Sequence, residues 1–253
     1  MNFIFYPISK QKPFFSLTCL TEYMWNPNSG SSIDPRIAII TPVSGPVSVS
    51  WALAVRQMDI PMPWKWICQR GLTIDVARNV SVREALEIES VEWIFFLDSD
   101  VIPPPIVIPA LLQWKLPINV GLYWSKHVTE RHPRGSWCFW IDLDNEEPLD
   151  LSKIPPGISL VKGEAAGMGC CLVHRKVFEK LLPYVGDPPC WFRWEYDPDK
   201  KGDTGMSEDL YFFKLVRDKL GVSIYADINI RCLHVVGSHG IALKENGELV
   251  YVL

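Results

Sequence analysis

A short apolar run that ends in two carboxylates and three prolines constrains the fold of this chain more than any other stretch. Residues 93–97 have the sequence WIFFL, Asp98-Ser99-Asp100 follow directly, and prolines occupy positions 103–105. A short apolar run bounded by turn residues is typical of a strand buried on both faces. Open α/β sheets bind their ligands beyond the carboxyl ends of such strands. The sequence therefore predicts an α/β fold with a ligand site at the two aspartates.

The spacing of Asp98 and Asp100 indicates a cation site. If the backbone stays extended through Ser99, both carboxylates point to the same side of the strand. Two carboxylates on one side suit a divalent ion that also carries phosphate oxygens as ligands. The alternative is an ordinary Asp-Ser-Asp turn, which these three residues alone do not exclude.

Strands and helices alternate through the first half of the chain and become mixed in the second half. Predicted strands occupy 36–43, 64–70, 93–97, 116–125, 170–173, 221–226, 228–236 and 248–253. Predicted helices occupy 48–58, 80–88, 109–115, 175–182 and 207–220. This order predicts α/β/α layers around a mixed central sheet, with antiparallel strands in the second half.

Length and charge narrow the class of protein. The 253 residues suit one α/β domain. A net charge of −4 argues against a large basic surface, so no nucleic-acid partner is predicted. No stretch reaches the roughly 20 continuous apolar residues of a membrane span. We therefore predict no transmembrane segment and leave peripheral membrane association open.

The cysteines and the N-terminal segment bear on compartment and domain organisation. The seven cysteines form no CxxC pair and no zinc-finger spacing, which is typical of reduced thiols in a cytosolic protein. The predicted localisation is therefore cytoplasmic. Residues 1–35 lack the charged start and clean apolar core of a signal peptide. They are predicted to be a poorly ordered extension or a docking arm, with the domain in residues 36–253.

Four segments together resemble the GT-A-fold glycosyltransferases, especially those of glycosyltransferase family 2. They are the strand that ends in Asp98-Ser99-Asp100, the string Ala77-Arg78-Asn79, the glycine-rich stretch 163–174, and Glu208-Asp209 at a helix start. The resemblance covers about residues 36–236. It implies a GT-A-type Rossmann-like α/β/α sandwich, with a nucleotide-binding half near 36–105 and an acceptor half near 106–253. It also implies transfer of a sugar from a UDP- or GDP-linked donor to a glycan or another hydroxyl acceptor.

The resemblance assigns donor and metal roles to particular residues. Mn²⁺ or Mg²⁺ would be held by Asp100 and His234, with Asp98 helping through the ribose or a water molecule. Arg78 would pair with the donor phosphates or orient the aspartates. The remaining residues assigned to the donor are Thr41, Pro42 and Val43 after the first strand, Ser99 beside the aspartates, and Lys244. Two alternatives stay open for the histidine: a hydrogen-bonded core role, or replacement as ligand by His239.

The same resemblance makes Asp209 the catalytic base, with Glu208 beside it. The aspartate would remove the proton from the acceptor hydroxyl as that hydroxyl attacks the anomeric carbon, which inverts the configuration. Helix capping could also explain both acids, because Ser207 is a natural N-cap and acidic residues favour the first turn.

Other functions remain open from the sequence. A retaining glycosyltransferase could use the same metal site, and a non-catalytic carbohydrate-binding protein could keep the same fold. A nucleotidyltransferase is disfavoured, because the loop at 41–46 contains no basic residue. Residues 121–124 are predicted to face the acceptor. The irregular, aromatic loop at 127–150 is predicted to be an acceptor-binding flap, although it could equally be a surface insertion.

Overall fold

The computed structural model describes residues 5–7, 34, 36–125, 132, 135–196, 205–236, 241–243 and 248–251. The strands are β1 (Phe5–Pro7), β2 (Ile37–Val43), β3 (Trp64–Arg70), β4 (Trp93–Leu97), β5 (Val101–Ile102), β6 (Ile118–Tyr123), β7 (Phe139–Asp142), β8 (Glu147–Pro148), β9 (Ile158–Gly163), β10 (Ala165–Ala166), β11 (Cys170–His174), β12 (Ile224–Val236), β13 (Ile241–Leu243) and β14 (Leu249–Tyr251). The helices are α1 (Val49–Arg56), α2 (Ile74–Glu87), α3 (Val107–Leu112), α4 (Arg175–Leu181) and α5 (Glu208–Leu220).

One mixed sheet organises the fold. Its strand order is β1-β9-β12-β6-β11-β4-β2-β3, and β5 and β13 pair with the distal part of β12. Strand β2 runs parallel to β3 and β4, whereas β11 runs antiparallel to both β4 and β6. Strand β12 runs parallel to β6 and antiparallel to β9. The prediction of an α/β fold with a mixed sheet and a partly antiparallel second half is therefore confirmed.

Helices cover both faces of this sheet. In β4, Ile94 and Phe96 belong to the core that contains residues of α2, α4 and α5. Phe95 and Leu97 belong to a second core, with residues of α1 and α3. Because successive side chains of a strand point to opposite faces, a wholly apolar β4 supplies both cores. The result is the predicted α/β/α layering.

Several boundaries differ from the sequence prediction. Helix α2 begins at Ile74 rather than residue 80, because Thr73 takes the extended N-cap conformation and Asp75 occupies the favourable first turn. Arg78 therefore lies one turn inside the helix rather than at its start. The two strands predicted at 221–226 and 228–236 are one strand, β12, with an irregular register in its middle.

The N-terminal segment and the membrane prediction can be followed only in part. Strand β1 pairs antiparallel with residues 158–161 of β9 at one edge of the sheet, while residues 8–33 lie outside the described part of the chain. In the described ranges, no helix is both long enough and apolar enough to cross a membrane.

The irregularity in β12 positions the end of that strand. Asp227 pairs with Gly121 of β6, but the next β6 residue, Leu122, pairs with Arg231, so three residues of β12 bulge out. The Asp227 carboxylate is buried and accepts hydrogen bonds from Trp114 Nε1 at 2.9 Å and from the Asn229 N–H at 3.0 Å. Beyond the bulge, β12 pairs antiparallel with β5, with His234 opposite Val101.

We expect Asp227→Ala to lower the free energy of unfolding by about 1–3 kcal/mol, because the partly buried N–H groups of Trp114 and Asn229 lose a charged acceptor. Asp227→Asn keeps one carbonyl oxygen and should cost less. Urea denaturation of both variants measures the difference, and Asp59→Asn, at an exposed position, serves as the control. An alanine variant as stable as the wild type would show that the carboxylate does not hold the bulge.

Candidate active site

A cleft of about 710 Å³ opens where β4 ends and α5 begins, and we call it the acidic cleft. Five of the predicted site residues line it: Asp98, Asp100, Glu208, Asp209 and His234. Glu146 adds a further carboxylate, and no Lys or Arg belongs to the described residues of its wall. The structure thus brings together residues that are more than 130 positions apart in the sequence.

The Asp98–Asp100 segment is a turn, so the extended backbone considered from the sequence is wrong. The Val101 N–H donates to the Asp98 carbonyl at 3.1 Å, and the Trp51 indole N–H donates to the same oxygen at 3.0 Å. The chain then re-enters regular pairing as β5, ahead of the prolines, and the Val235 N–H donates to the Asp100 carbonyl at 2.7 Å. As a result, the two carboxylates have different partners.

Asp98 belongs to a buried ionic network with Arg78 and Glu208. Arg78 Nη2 lies 3.0 and 3.1 Å from the two carboxylate oxygens of Asp98, and Arg78 Nη1 pairs with Glu208 Oε1. The arginine is 1% exposed, and both of its terminal nitrogens are engaged. Of the two roles predicted for Arg78, its contacts match the orienting one, and the side chain does not reach the cleft wall. Glu208 is 4% exposed and shares this ionic role.

Burial and mutual repulsion shift the pKa values of these acids. Burial raises the pKa of Asp98 despite the Arg78 guanidinium, and the Asp100 charge raises it further. Burial likewise raises the pKa of Glu208, while Arg78 opposes the rise. Burial alone would lower the pKa of Arg78, but Asp98, Glu208 and Asp209 together raise it above its ordinary value. The guanidinium therefore stays charged and holds two flanking carboxylates in place.

Asp100, at the end of the Asp98–Asp100 turn, faces His234. His234 Nε2 lies 3.6 Å from Asp100 Oδ2, and the Asp100 side chain is 45% exposed. The other ring nitrogen, Nδ1, lies 2.7 Å from the Trp124 carbonyl oxygen. A carbonyl can only accept, so in the neutral imidazole Nδ1 carries the proton and Nε2 presents its lone pair. No cluster of three potential ligands from His, Cys, Asp or Glu occurs among the described residues.

Asp209 lies in the first turn of α5, and both hydrogen bonds to its carboxylate are accepted by the same oxygen, Oδ1. Ser207 occupies the N-cap position, yet its hydroxyl makes no capping bond and donates to Asp209 Oδ1 instead. The Leu210 N–H donates to the same oxygen at 2.8 Å. No described residue donates to Oδ2. Ser207 thus makes no side-chain cap, although both acids occupy the favourable first turn of the helix. One oxygen of Asp209 is available to a ligand in the cleft.

Tyr123 and the glycine-rich stretch form the floor of the cleft. The Gly169 N–H donates to the Tyr123 hydroxyl at 3.1 Å, and the Tyr123 ring meets His234 edge to face with centroids 5.1 Å apart. A Cβ atom on Gly167 would lie 2.0 Å from that hydroxyl oxygen, so a larger residue there would displace the ring. Of residues 121–124, which were predicted to face the acceptor, Tyr123 lines the acidic cleft, and Gly167 and Gly169 permit its close approach as predicted for the glycine-rich stretch.

Cys138 lines the acidic cleft and was not predicted as a site residue. Burial raises the pKa of its thiol well above the usual range, and the nearby Asp209 charge raises it further. A protonated thiol is a poor nucleophile, which disfavours a covalent role. Cys138 lies in the loop predicted as an acceptor flap, but no motif in that loop distinguishes the cysteine from its neighbours.

The other predicted donor residues that the structure describes do not line the acidic cleft. Thr41 is 0% exposed, and its hydroxyl accepts a hydrogen bond from Trp66 Nε1 at 3.1 Å. Pro42 and Val43 continue β2 and pair with β3, so the strand extends through the predicted loop. Ser99 is half-buried within the turn. Lys244, like the alternative ligand His239, lies outside the described residues.

Comparisons with known proteins establish a shared fold. No protein-family model matches the sequence, and no curated protein does. The crystal structure of A197 from STIV superposes with a TM-score of 0.58 at 18% sequence identity. The match covers 86% of this chain and 94% of that one. At this identity the likeness extends to the arrangement of strands and helices, and it supports the Rossmann-like α/β assignment.

Proposed function

We propose that this protein is a metal-dependent glycosyltransferase of the GT-A type. It moves a sugar from a UDP- or GDP-linked donor to an acceptor hydroxyl and inverts the anomeric configuration. One observation carries the proposal: an aspartate with an available oxygen, Asp209, shares a cleft with the Asp100–His234 pair. A base and a cation site in one cleft are what a single displacement at a sugar diphosphate needs.

The residues around Asp100 and His234 fit a divalent cation. Metal-bound histidines usually donate their other ring N–H to a carbonyl or carboxylate, as His234 does to Trp124. Mg²⁺ is commonly held by one or two carboxylates, with substrate phosphates and water completing its shell, so a full protein cage is unnecessary. The ion would stabilise negative charge on the departing diphosphate.

The charge of the acidic cleft also supports metal dependence. Its described wall carries the carboxylates of Asp98, Asp100, Glu146, Glu208 and Asp209, and the buried Arg78 pairs with two of them. These carboxylates would repel a diphosphate, and a divalent cation bound with the donor would offset that repulsion. Metal and donor are therefore expected to bind together.

The chain's own residues then perform the transfer. Asp209 Oδ2 takes the proton of the acceptor hydroxyl, and the hydroxyl oxygen forms the new bond to the anomeric carbon. The bond from that carbon to the diphosphate oxygen breaks, and its electrons leave with the nucleoside diphosphate. The Ser207 hydroxyl and the Leu210 N–H fix the carboxylate through Oδ1, which orients Oδ2 toward the cleft.

The test is a donor panel. UDP- and GDP-linked hexoses are incubated with the protein in Mn²⁺, in Mg²⁺ and in chelator, and release of nucleoside diphosphate is measured with and without pooled sugar acceptors. We expect release from one donor class that requires metal and increases with acceptor. Binding of sugars without any metal-dependent release from any donor would contradict the proposal and favour a carbohydrate-binding protein.

A further inference from the structure

A second cleft of about 660 Å³ adjoins the acidic cleft, and we call it the outer cleft. Ser136 and Pro148 line both clefts, so the two share a wall. The far side of the outer cleft is the exposed turn at 150–153, which follows β8. Each cleft falls within the roughly 300–1,000 Å³ that a single small ligand occupies. Together they can hold two ligands side by side.

Trp124 connects the outer cleft to the candidate metal site. Its carbonyl accepts the hydrogen bond from His234, while its side chain lines the outer cleft. The indole meets Trp137 edge to face, with ring centroids 5.1 Å apart. Gly135 makes room for it, since a Cβ atom there would lie 2.6 Å from the indole Nε1. Trp124 therefore separates the outer cleft from the candidate metal site, and Trp137 packs against its indole.

The polar groups of the outer cleft suit an uncharged, polyhydroxylated ligand. The described residues of its wall include two acids, two cationic side chains and one histidine: Glu147, Asp150, Lys153, Arg231 and His132. Lys153 lies 3.7 Å from Asp150, so these charges largely balance. Such side chains both accept from and donate to hydroxyl groups. The acidic cleft, whose described lining has five carboxylates and no Lys or Arg, differs from it in charge.

We propose that the outer cleft binds a neutral oligosaccharide of at least two sugar units and presents its terminal hydroxyl to Asp209. This inference rests on the proposed function, because it identifies the outer cleft as the place of the acceptor. The terminal unit lies in the acidic cleft, and the following units pass Ser136 and Pro148 into the outer cleft. The Trp124 indole supplies an apolar surface for the C–H groups of a sugar ring.

The first arm of the test measures binding without donor or metal. Glucose-, mannose- and galactose-based oligosaccharides of one to four units are titrated by NMR. We expect one series to bind about tenfold more tightly, or better, once two units are present, because the second unit adds several hydrogen bonds. Equal affinity for one and four units in every series would overturn the proposal.

Variants of the turn at 150–153 test whether the oligosaccharide binds in the outer cleft. Ser152→Trp adds an indole that fills the outer cleft, and Lys153→Ala removes one of its polar groups. Both should abolish or weaken the length dependence while leaving monosaccharide binding unchanged. Lys162→Trp adds the same indole at an exposed position of β9 that lines neither cleft and should change nothing. Length dependence that survives both turn variants would place the ligand elsewhere and overturn the proposal.

The second arm separates this inference from the proposed function. In the transfer assay, the tetrasaccharide should be the better acceptor, and Ser152→Trp should remove that advantage without lowering donor hydrolysis. Transfer that is equally fast to one and four units would overturn the oligosaccharide inference and leave the glycosyltransferase proposal intact. Length-dependent binding without any donor cleavage would refute the transferase and the acceptor role, while retaining the outer cleft as a glycan site.

Discussion

Asp209→Asn is expected to lower kcat for sugar transfer about 10³-fold, within the 10²- to 10⁴-fold range of general base catalysis. The amide keeps an oxygen that can accept from Ser207 and Leu210, so the helix start should retain its geometry. What it loses is the capacity to take a proton. Donor and metal affinity should stay within about threefold, because the substitution removes an interaction made only in the transition state.

The matched control for this variant is Asp218→Asn on the same helix. Asp218 is exposed, pairs with Lys214 and does not line the acidic cleft, so its substitution should leave transfer unchanged. Initial rates at saturating donor and acceptor, with isothermal titration of the donor, separate kcat from binding. An Asp209→Asn enzyme that keeps more than a tenth of the wild-type rate would mean that another group accepts the proton.

Local sequence patterns predicted the scaffold because they reflect local physics. Strand β3 was predicted with its observed bounds, and α5 was predicted from Ser207 and its acidic first turn. Burial on both faces of β4 required a continuous apolar run, which the sequence contains. In each case, the determining interactions lie within a few residues, so a single sequence carries them.

The geometry of the Asp98–Asp100 turn could not be predicted, because distant residues determine it. Asp98 pairs with an arginine of α2, and that arginine pairs in turn with Glu208, 130 residues farther along the chain. Pairing of β5 with the end of β12 closes the other side of the turn. The bulge held by Asp227 sets which β12 residue faces Asp100, and no motif marks such a bulge. Residue types were therefore predictable, whereas their partners were not.

The ion pairs of Arg78 with Asp98 and Glu208 give this arginine a structural role in place of the predicted phosphate contact. It joins α2, the end of β4 and the first turn of α5, which carries Asp209. Two carboxylates at a low-dielectric position repel each other unless a cation lies between them, and Arg78 is that cation. The buried Arg78, which does not line the cleft, thus fixes the spacing between the Asp98–Asp100 turn and Asp209. We infer that this rigidity keeps the base aligned with the cation site.

The cation site itself is the subject of the second prediction. Asp100→Asn is expected to lower metal-dependent donor turnover by about 10²- to 10³-fold, the loss typical of removing one charge-stabilising group from an active site. An amide carries no charge and is a weaker ligand for Mg²⁺ or Mn²⁺, so the metal concentration for half-maximal rate should rise. The fold should change little, because the Asp100 side chain is 45% exposed and the substitution keeps the backbone carbonyl that accepts from the Val235 N–H.

His234→Ala completes this experiment as one side of a double-mutant cycle. If Asp100 and His234 hold the same ion, the double variant should be little worse than either single variant, because the first substitution already removes the metal. Asp59→Asn, at an exposed position outside both clefts, is the control for a general loss of charge. Metal titrations of donor release on all five proteins give the comparison. Fully additive effects would mean that the two residues act separately, and an Asp100→Asn enzyme with unchanged metal dependence would place the cation elsewhere.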